Sequence, residues 1–406
     1  MSRETFQSLR MLLMEKLDLA RELTDEEILE EIDTLILERM RDSCLSLKEK
    51  VQLRQELFHS VRKLDVLQEL IETDEITEIM INGPDHIFVE KEGQLYETGL
   101  TFESVERLED IAQQIASEGN RIVNESVPIL DVRMADGSRV NIVMPPIAIE
   151  GPVITIRKFP KEPITMEKLV AMGAITPEAD RYLKGLVEAK YNIFISGGTG
   201  AGKTTFLNIL SNYIPVSERI ITIEDSAELQ IQNIENIVRM ESRNANVEGK
   251  NQVTIRDLIR SALRMRPDRI VVGEIRDATA IDMLTAMNTG HDGSLSTGHA
   301  NSPKDMLNRL ETLVLMGMDI PLPAIRQQIS SAIDIIVHLG RLRDRSRKVL
   351  EICEIGNVVE GEIEVFPIFT FCELGEEEGR ILGTLERTGH VLCSMDKCRR
   401  AGVNLS

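Results

Sequence analysis

Residues 193–205 read Ile193-Phe194-Ile195-Ser196-Gly197-Gly198-Thr199-Gly200-Ala201-Gly202-Lys203-Thr204-Thr205, an apolar strand running into a glycine-rich loop and then a helical run to Leu210. Gly197 to Thr204 fit G-x-x-x-x-G-K-[ST] at every fixed position. Glycines let the backbone curl without Cβ clashes, so successive N–H groups converge on phosphate oxygens. The helix that starts at Gly202 adds the positive end of its dipole. Lys203 is expected to bridge the β- and γ-phosphates and the Thr204 hydroxyl to ligate Mg²⁺, with Thr205 beside them. The cofactors this pattern asks for are ATP and Mg²⁺.

Around this loop the sequence alternates helix and strand from about Thr165 to Gly340. Strands are predicted at Asn192 to Ser196, Ile220 to Ile223, Arg269 to Val272, Ser294 to Thr297 and Ile333 to Val337, most separated by helices. That order implies a largely parallel sheet buried on both faces, an α/β fold of the RecA-like P-loop kind. The helix from Thr254 to Met265 opens on a Thr254/Asp257 start signal. It carries Arg256, Arg260 and Arg264 opposite its apolar stripe, facing either an adjacent subunit or solvent.

Hydrolysis needs a group that orients water against the γ-phosphate. Arg269-Ile270-Val271-Val272-Gly273-Glu274 is a buried-strand pattern ending in an acid. It places Glu274 at the strand's C-terminal tip, where ligands of such sheets collect. Gly273 stands where an Asp usually follows the apolar run, so Glu274 reads as holding water, or Mg²⁺ through water. Glu224, followed by Asp225, ends Ile220 to Ile223 in the same way and is the second candidate for positioning water or metal.

The rest of the chain divides by composition. Residues 1–72 read as helix, a small bundle for docking, with a capping-box start at Thr24/Glu27, one helix from Thr24 to Arg41 and another from about Leu47 to Leu64. Residues 73–160 form an α/β domain of short strands (Thr77 to Ile81, Ile87 to Glu90, Ile129 to Met134, Arg139 to Val143, Val153 to Ile156) around a helix from Ser104 to Ser117. Pro160 and Pro163 mark a linker into the P-loop domain, 161–343. Residues 344–406 hold two strand runs, an acidic turn and a final short helix.

At 406 residues with 42% hydrophobic content and no Trp, the chain can bury a sizeable aliphatic interior. Its formal net charge of -20 repels nucleic-acid phosphates and anionic lipid. No stretch approaches the ~18 apolar residues of a membrane span, and Glu15, Lys16 and Asp18 interrupt the N-terminus where a signal peptide needs an uncharged core. A cytoplasmic protein without membrane insertion is expected. The five cysteines lack C-x-x-C spacing. Cys393, Cys398 and nearby His390 are a weak metal set, and the thiols read as reduced and unligated.

Further motifs carry a resemblance. Ile221-Thr222-Ile223-Glu224-Asp225-Ser226-Ala227-Glu228-Leu229 resembles the Asp box of the type II/type IV secretion ATPases, and Thr289 to Asn301 looks like their His box. The glycine before Glu274 is also a feature of that family. Within it the chain resembles the CpaF (TadA) group of tight-adherence (Flp) pilus assembly ATPases. That likeness covers nearly the whole chain, including Asp74 to Ile79, Asp136 to Asn141 and Ala401 to Leu405.

The resemblance implies a homohexameric motor with nucleotide between a PAS-like N-terminal α/β domain and the P-loop domain. It implies association with the inner membrane through platform proteins. His299 would act as a γ-phosphate sensor, and His291 would organise its box through Asp292. Arg133, Arg139 and Arg157 would contact nucleotide from the same or a neighbouring subunit. Export-type relatives often carry a tetracysteine zinc module, which this sequence lacks. The competing readings are a type IV secretion or conjugation-type ATPase or nucleic-acid motor on the same fold, and a nucleotide-gated scaffold. Acidity and the lack of basic segments interleaved with aromatics speak against direct nucleic-acid contact. The acids Glu224 and Glu274 speak against a mere scaffold.

Overall fold

Residues 3–17, 23–39, 46–91, 93–159, 163–243, 245 and 250–405 are described by a computed structural model. They fall into two units, Met1–Lys161 and Glu162–Ser406.

The first unit begins with helices α1 (Arg3–Lys16), α2 (Asp25–Arg39), α3 (Leu47–Arg62) and α4 (Leu67–Glu72). Reciprocal capping opens α2 and α3: the backbone N–H groups of Thr24 and Ser46 donate to Glu27 and Glu49, each at 2.8 Å. Leu13, Ile32, Leu35 and Leu57 meet in a core that belongs to these helices. The last two residues read into α2, Met40 and Arg41, lie outside the described residues, as does Pro160 of the linker.

There follow β1 (Ile76–Asn82), β2 (His86–Lys91), β3 (Gln94–Glu97), α5 (Val105–Glu118), β4 (Ile129–Arg133), β5 (Arg139–Val143) and β6 (Val153–Arg157). The strands pair antiparallel in the order β3-β2-β1-β6-β5-β4. Leu108, Ile111 and Ile115 of α5 share a core with Ile79, Ile81, Ile154 and Ile156. Strand β3 has no counterpart in the sequence reading. Every residue of it is exposed, so no apolar alternation announces it.

The second unit contains α6 (Met166–Ala171), α7 (Pro177–Glu188), β7 (Ile193–Gly197), α8 (Lys203–Ser211), β8 (Ile220–Glu224), β9 (Ile237–Glu241), α9 (Ile255–Ala262), β10 (Arg269–Val272), α10 (Ala280–Asn288) and β11 (Leu295–His299). It continues through α11 (Pro303–Leu315), α12 (Leu322–Ala332), β12 (Ile335–Arg341), β13 (Arg347–Val359), β14 (Glu362–Glu377), β15 (Arg380–Arg387) and α13 (Asp396–Ala401). The sheet order is β15-β14-β13-β12-β7-β11-β10-β8-β9, parallel from β12 to β9. All five strands read from the sequence are present, and β9 is added at the edge.

Both faces of this sheet are covered. Along β7, Ile193 and Ile195 pack with α7 and α8, while Phe194 packs on the opposite side with α10, α11 and α12. This is the alternation a doubly covered parallel strand requires. At the start of β10, Arg269 is wholly buried; its guanidinium forks onto Glu218 at 2.6 and 3.1 Å and donates to the Val187 carbonyl at 2.6 Å.

One expectation is corrected here. Residues 344–406 hold three strands, not two, and these extend the P-loop sheet beyond β12 as antiparallel hairpins. The two alternatives for the arginines of the Thr254 to Met265 stretch stay open, with Arg260 and Arg264 exposed. Arg256 and Arg260 both reach Asp282 on α10, at 2.7 and 3.1 Å.

Candidate nucleotide site

Strand β7 ends at Gly197, where a Cβ would stand 2.5 Å from the Leu339 carbonyl oxygen of β12. Glycine alone fits there. Gly200 and Gly202 hold φ of 71° and 94°, a region side-chain-bearing residues avoid. Added Cβ atoms at Gly198 and Gly200 would meet nothing within 4 Å, so the loop is open at these positions. Thr199 and Ala201 lie between the glycines, and Lys203, Thr204 and Thr205 form the first turn of α8.

Lys203 is only 7% exposed. Its ammonium donates to the Gly198 carbonyl at 3.0 Å and to His299 Nδ1 at 3.2 Å. Because Nδ1 accepts, the ring proton resides on Nε2, which stands 2.9 Å from Glu274 Oε1. The other Glu274 oxygen accepts from Arg276 at 2.7 Å, and Arg276 lies 3.9 Å from Asp225. Side chains from four strand ends thus line one edge of the sheet, beside the P-loop.

Burial raises the Glu274 carboxyl, but the hydrogen bond and charge of Arg276, with His299 and Lys203, outweigh it and hold the group below its ordinary range. Burial lowers His299, and the Lys203 charge lowers it further, against the opposing pull of Glu274. The site therefore presents an ionised carboxylate and a neutral imidazole. Glu274 Oε1 is buried and makes no aligned hydrogen bond, even with His299 so near.

Glu224 is 3% exposed at the end of β8. Its Oε2 accepts from the backbone N–H groups of Glu228 and Leu229 at 2.8 and 3.0 Å, which holds the loop carrying Asp225. A Cβ at Gly273 would come within 3.1 Å of Glu224 Cγ, which explains the glycine before Glu274. His291 lies at the opposite end of β11 from His299, against the Ala286 carbonyl. Asp292 there pairs with Lys397 at 2.9 Å.

Arg133, Arg139 and Arg157 are brought together with one another. They are direct cross-strand partners on β4, β5 and β6, a row on one face of the first unit's sheet. Arg133 lies over the Phe159 ring and Arg157 stands 3.8 Å from Glu78.

Three residues escaped the sequence reading. Arg276 has a signal in hindsight, since it lies two positions after Glu274 in an extended segment. Arg347 of β13 has none; its Cδ lies 3.8 Å from where a Cβ on Gly202 would sit. His338 of β12 is buried and bonded through Nδ1 to the Ser196 hydroxyl at 2.8 Å, one residue before the loop.

Burial lowers His338 from its ordinary 6.5, against the Asn301 backbone bond and the Asp305 charge. The unfolded chain then takes up a proton near its ordinary pKa while the folded chain resists it. Stability is full above that pH and is lost as pH falls toward the folded value. Thermal unfolding should show this loss as pH falls below the ordinary 6.5, and a shallower one in His338→Gln. Equal slopes would remove His338 as its source.

The donor set fits the implied cofactors. Open loop glycines, a buried ammonium, a helix-start hydroxyl at Thr204 and an ionised acid with an unaligned oxygen suit a polyphosphate with a divalent cation.

The model of the family described as type II/IV secretion system protein matches residues 61–383. A putative conjugal transfer protein of Mycobacterium tuberculosis is 34% identical over 310 residues, covering 75% of this chain and 87% of its own. The type IV secretion system protein VirB11 of Bartonella henselae is 32% identical over 330 residues, 71% of this chain and 91% of its own. Among solved structures, the pilus retraction motor PilT with bound ADP aligns over 84% of this chain and 87% of its own, with a TM-score of 0.51 and 18% identity. That last likeness is one of fold. No helix among the described residues is long and apolar enough to cross a membrane.

Proposed function

The chain belongs to the type II/IV secretion system protein family, and on that premise we propose that it is an ATP-hydrolysing motor subunit of the type IV secretion or conjugation kind. The observation that carries the proposal is the contact series Lys203–His299–Glu274 beside the P-loop. Lys203 holds the β- and γ-phosphates through its ammonium, and the Thr204 hydroxyl ligates Mg²⁺. When bound, the cation neutralises charge spreading over the transferred phosphoryl group. Glu274, ionised at neutral pH, orients the attacking water through Oε1, or holds Mg²⁺ through water. His299 presents its Nε2 proton on the same side and senses the γ-phosphate.

Glu224 acts one step back, as a positioning residue for the Asp225 loop. The row Arg133, Arg139 and Arg157 is part of the same proposal as a cationic face for phosphate.

The named relatives, a conjugal transfer protein and a VirB11 protein, favour this reading over tight-adherence pilus assembly. The latter is the second reading, and rests on the motifs around Asp74, Asp136 and Ala401. A homohexamer, acting on inner-membrane platform proteins without binding nucleic acid itself, completes the proposal. Phosphate release measured with and without single-stranded DNA, alongside light-scattering mass with a non-hydrolysable ATP analogue, tests it. Mg²⁺-dependent turnover indifferent to DNA and a six-subunit mass are expected. A persistent monomer, or turnover that requires DNA, would overturn the ring or the choice of substrate.

A further inference from the structure

Away from the nucleotide site, Glu354 on β13 and two residues after β15, His390 and Cys393, form a cluster that phosphate chemistry does not use. One carboxylate oxygen, one imidazole nitrogen and the thiol sulfur lie within 4.8 Å of one another. Glu354 is 5% exposed, yet its carboxylate is turned to the tail of the chain. His390 Nε2 is 2.6 Å from Oε2, and the Cys393 N–H donates to both oxygens at 2.9 Å. The His390 ring stacks on Phe366 with centroids 4.9 Å apart and planes 10° apart, which fixes the direction of its nitrogens.

Cys393 is exposed, so the cluster opens to water on one side. The charge of Glu364 also acts on its thiol, concentrating negative potential there. Cys398, which the spacing paired with Cys393, is buried with its thiol 3.5 Å from the Tyr191 hydroxyl. The acid from β13 takes its place.

We propose that Glu354, His390 and Cys393 bind one divalent transition-metal ion of the zinc class, with water as the fourth ligand. Carboxylate oxygen, imidazole nitrogen and thiolate sulfur are the donors such an ion accepts, and magnesium or calcium would disfavour the sulfur. Tetrahedral bonds of the usual lengths set donors ~3.5 Å apart, which rotation about the side-chain bonds can reach from the observed spacing. On binding, the thiol gives its proton up to solvent, so affinity rises with pH.

The ion would fasten the tail to β13. Lys397 in that tail bridges Asp292 and Asp334 at 2.9 and 2.7 Å, so the fastening extends to the loop leading into β11.

Cobalt(II) titration of the full chain tests this, because a thiolate ligand gives an intense near-ultraviolet charge-transfer band. The nucleotide-site residues Lys203, Thr204 and Glu274 carry no sulfur and cannot produce it. One equivalent of Co²⁺ should develop the band in the wild type and in Cys372→Ser, and zinc should abolish it. Cys393→Ser, a change at an exposed side chain expected to leave the circular dichroism unaltered, should lose the band. Its zinc affinity should fall by at least the roughly 10–100-fold that loss of even an outer-shell partner costs. No band in the wild type, or an equal band in Cys393→Ser, would overturn the site.

Discussion

Lys203→Ala is expected to reduce ATP turnover by about 100-fold or more, the scale on which removing one preorganised donor to developing charge is felt. The side chain is nearly buried at the first position of α8, and its ammonium sits between the Gly198 carbonyl and His299. Truncation leaves the β/γ charge uncompensated in a site where solvent replaces little of it. It also removes the donor that fixes the His299 tautomer. The loss should therefore exceed that of a screened surface lysine. Phosphate release and nucleotide titration of the same preparation check this; wild-type turnover in the variant would take Lys203 out of the site.

Glu274→Gln is the second large effect, with a different signature. The neutral amide keeps the volume and part of the hydrogen-bonding of the acid, so ATP binding should persist. Turnover should slow at least tenfold, ~1.4 kcal/mol of barrier, because an amide cannot draw a proton from the attacking water. Arg276 would then lose its charged partner 2.7 Å away. Arg276→Ala should accordingly impair turnover less than Glu274→Gln. Unchanged rates in Glu274→Gln would leave water positioning to another group.

The P-loop, the five inner parallel strands and the acid closing β10 were legible because each couples a local pattern to a single backbone geometry. Gly197-x₄-Gly202-Lys203-Thr204 admits few conformations, and Ile270-Val271-Val272 has no polar residue to place at a surface. What the sequence withheld depends on partners distant along the chain. Gly273 stands where an Asp usually follows the apolar run, and the space a side chain would need there is filled by Glu224, which the sequence does not show. Glu224, the second candidate for positioning water or metal, has its Oε2 on the N–H groups of Glu228 and Leu229, a contact the sequence does not show.

His338 reads as one polar residue in an apolar strand, and only the register of β12 against β7 sets it opposite Ser196. The edge strand β3 offers no apolar rhythm because every residue of it is exposed, whereas β9 is half-buried and its Ile237, Val238 and Met240 pack on the cores. In the tail, Cys393 and Cys398 are five positions apart, but the fold turns one to solvent and the other to Tyr191. Their spacing could not reveal Glu354 as the third member of the cluster.

Isothermal titration of the folded chain with ATP, with and without Mg²⁺, is the most direct measurement of what the loop and its neighbours do. Saturable uptake that strengthens with Mg²⁺ and disappears in Lys203→Ala is the expected result. Absence of any Mg²⁺-dependent uptake by the folded wild-type protein would contradict the nucleotide site itself.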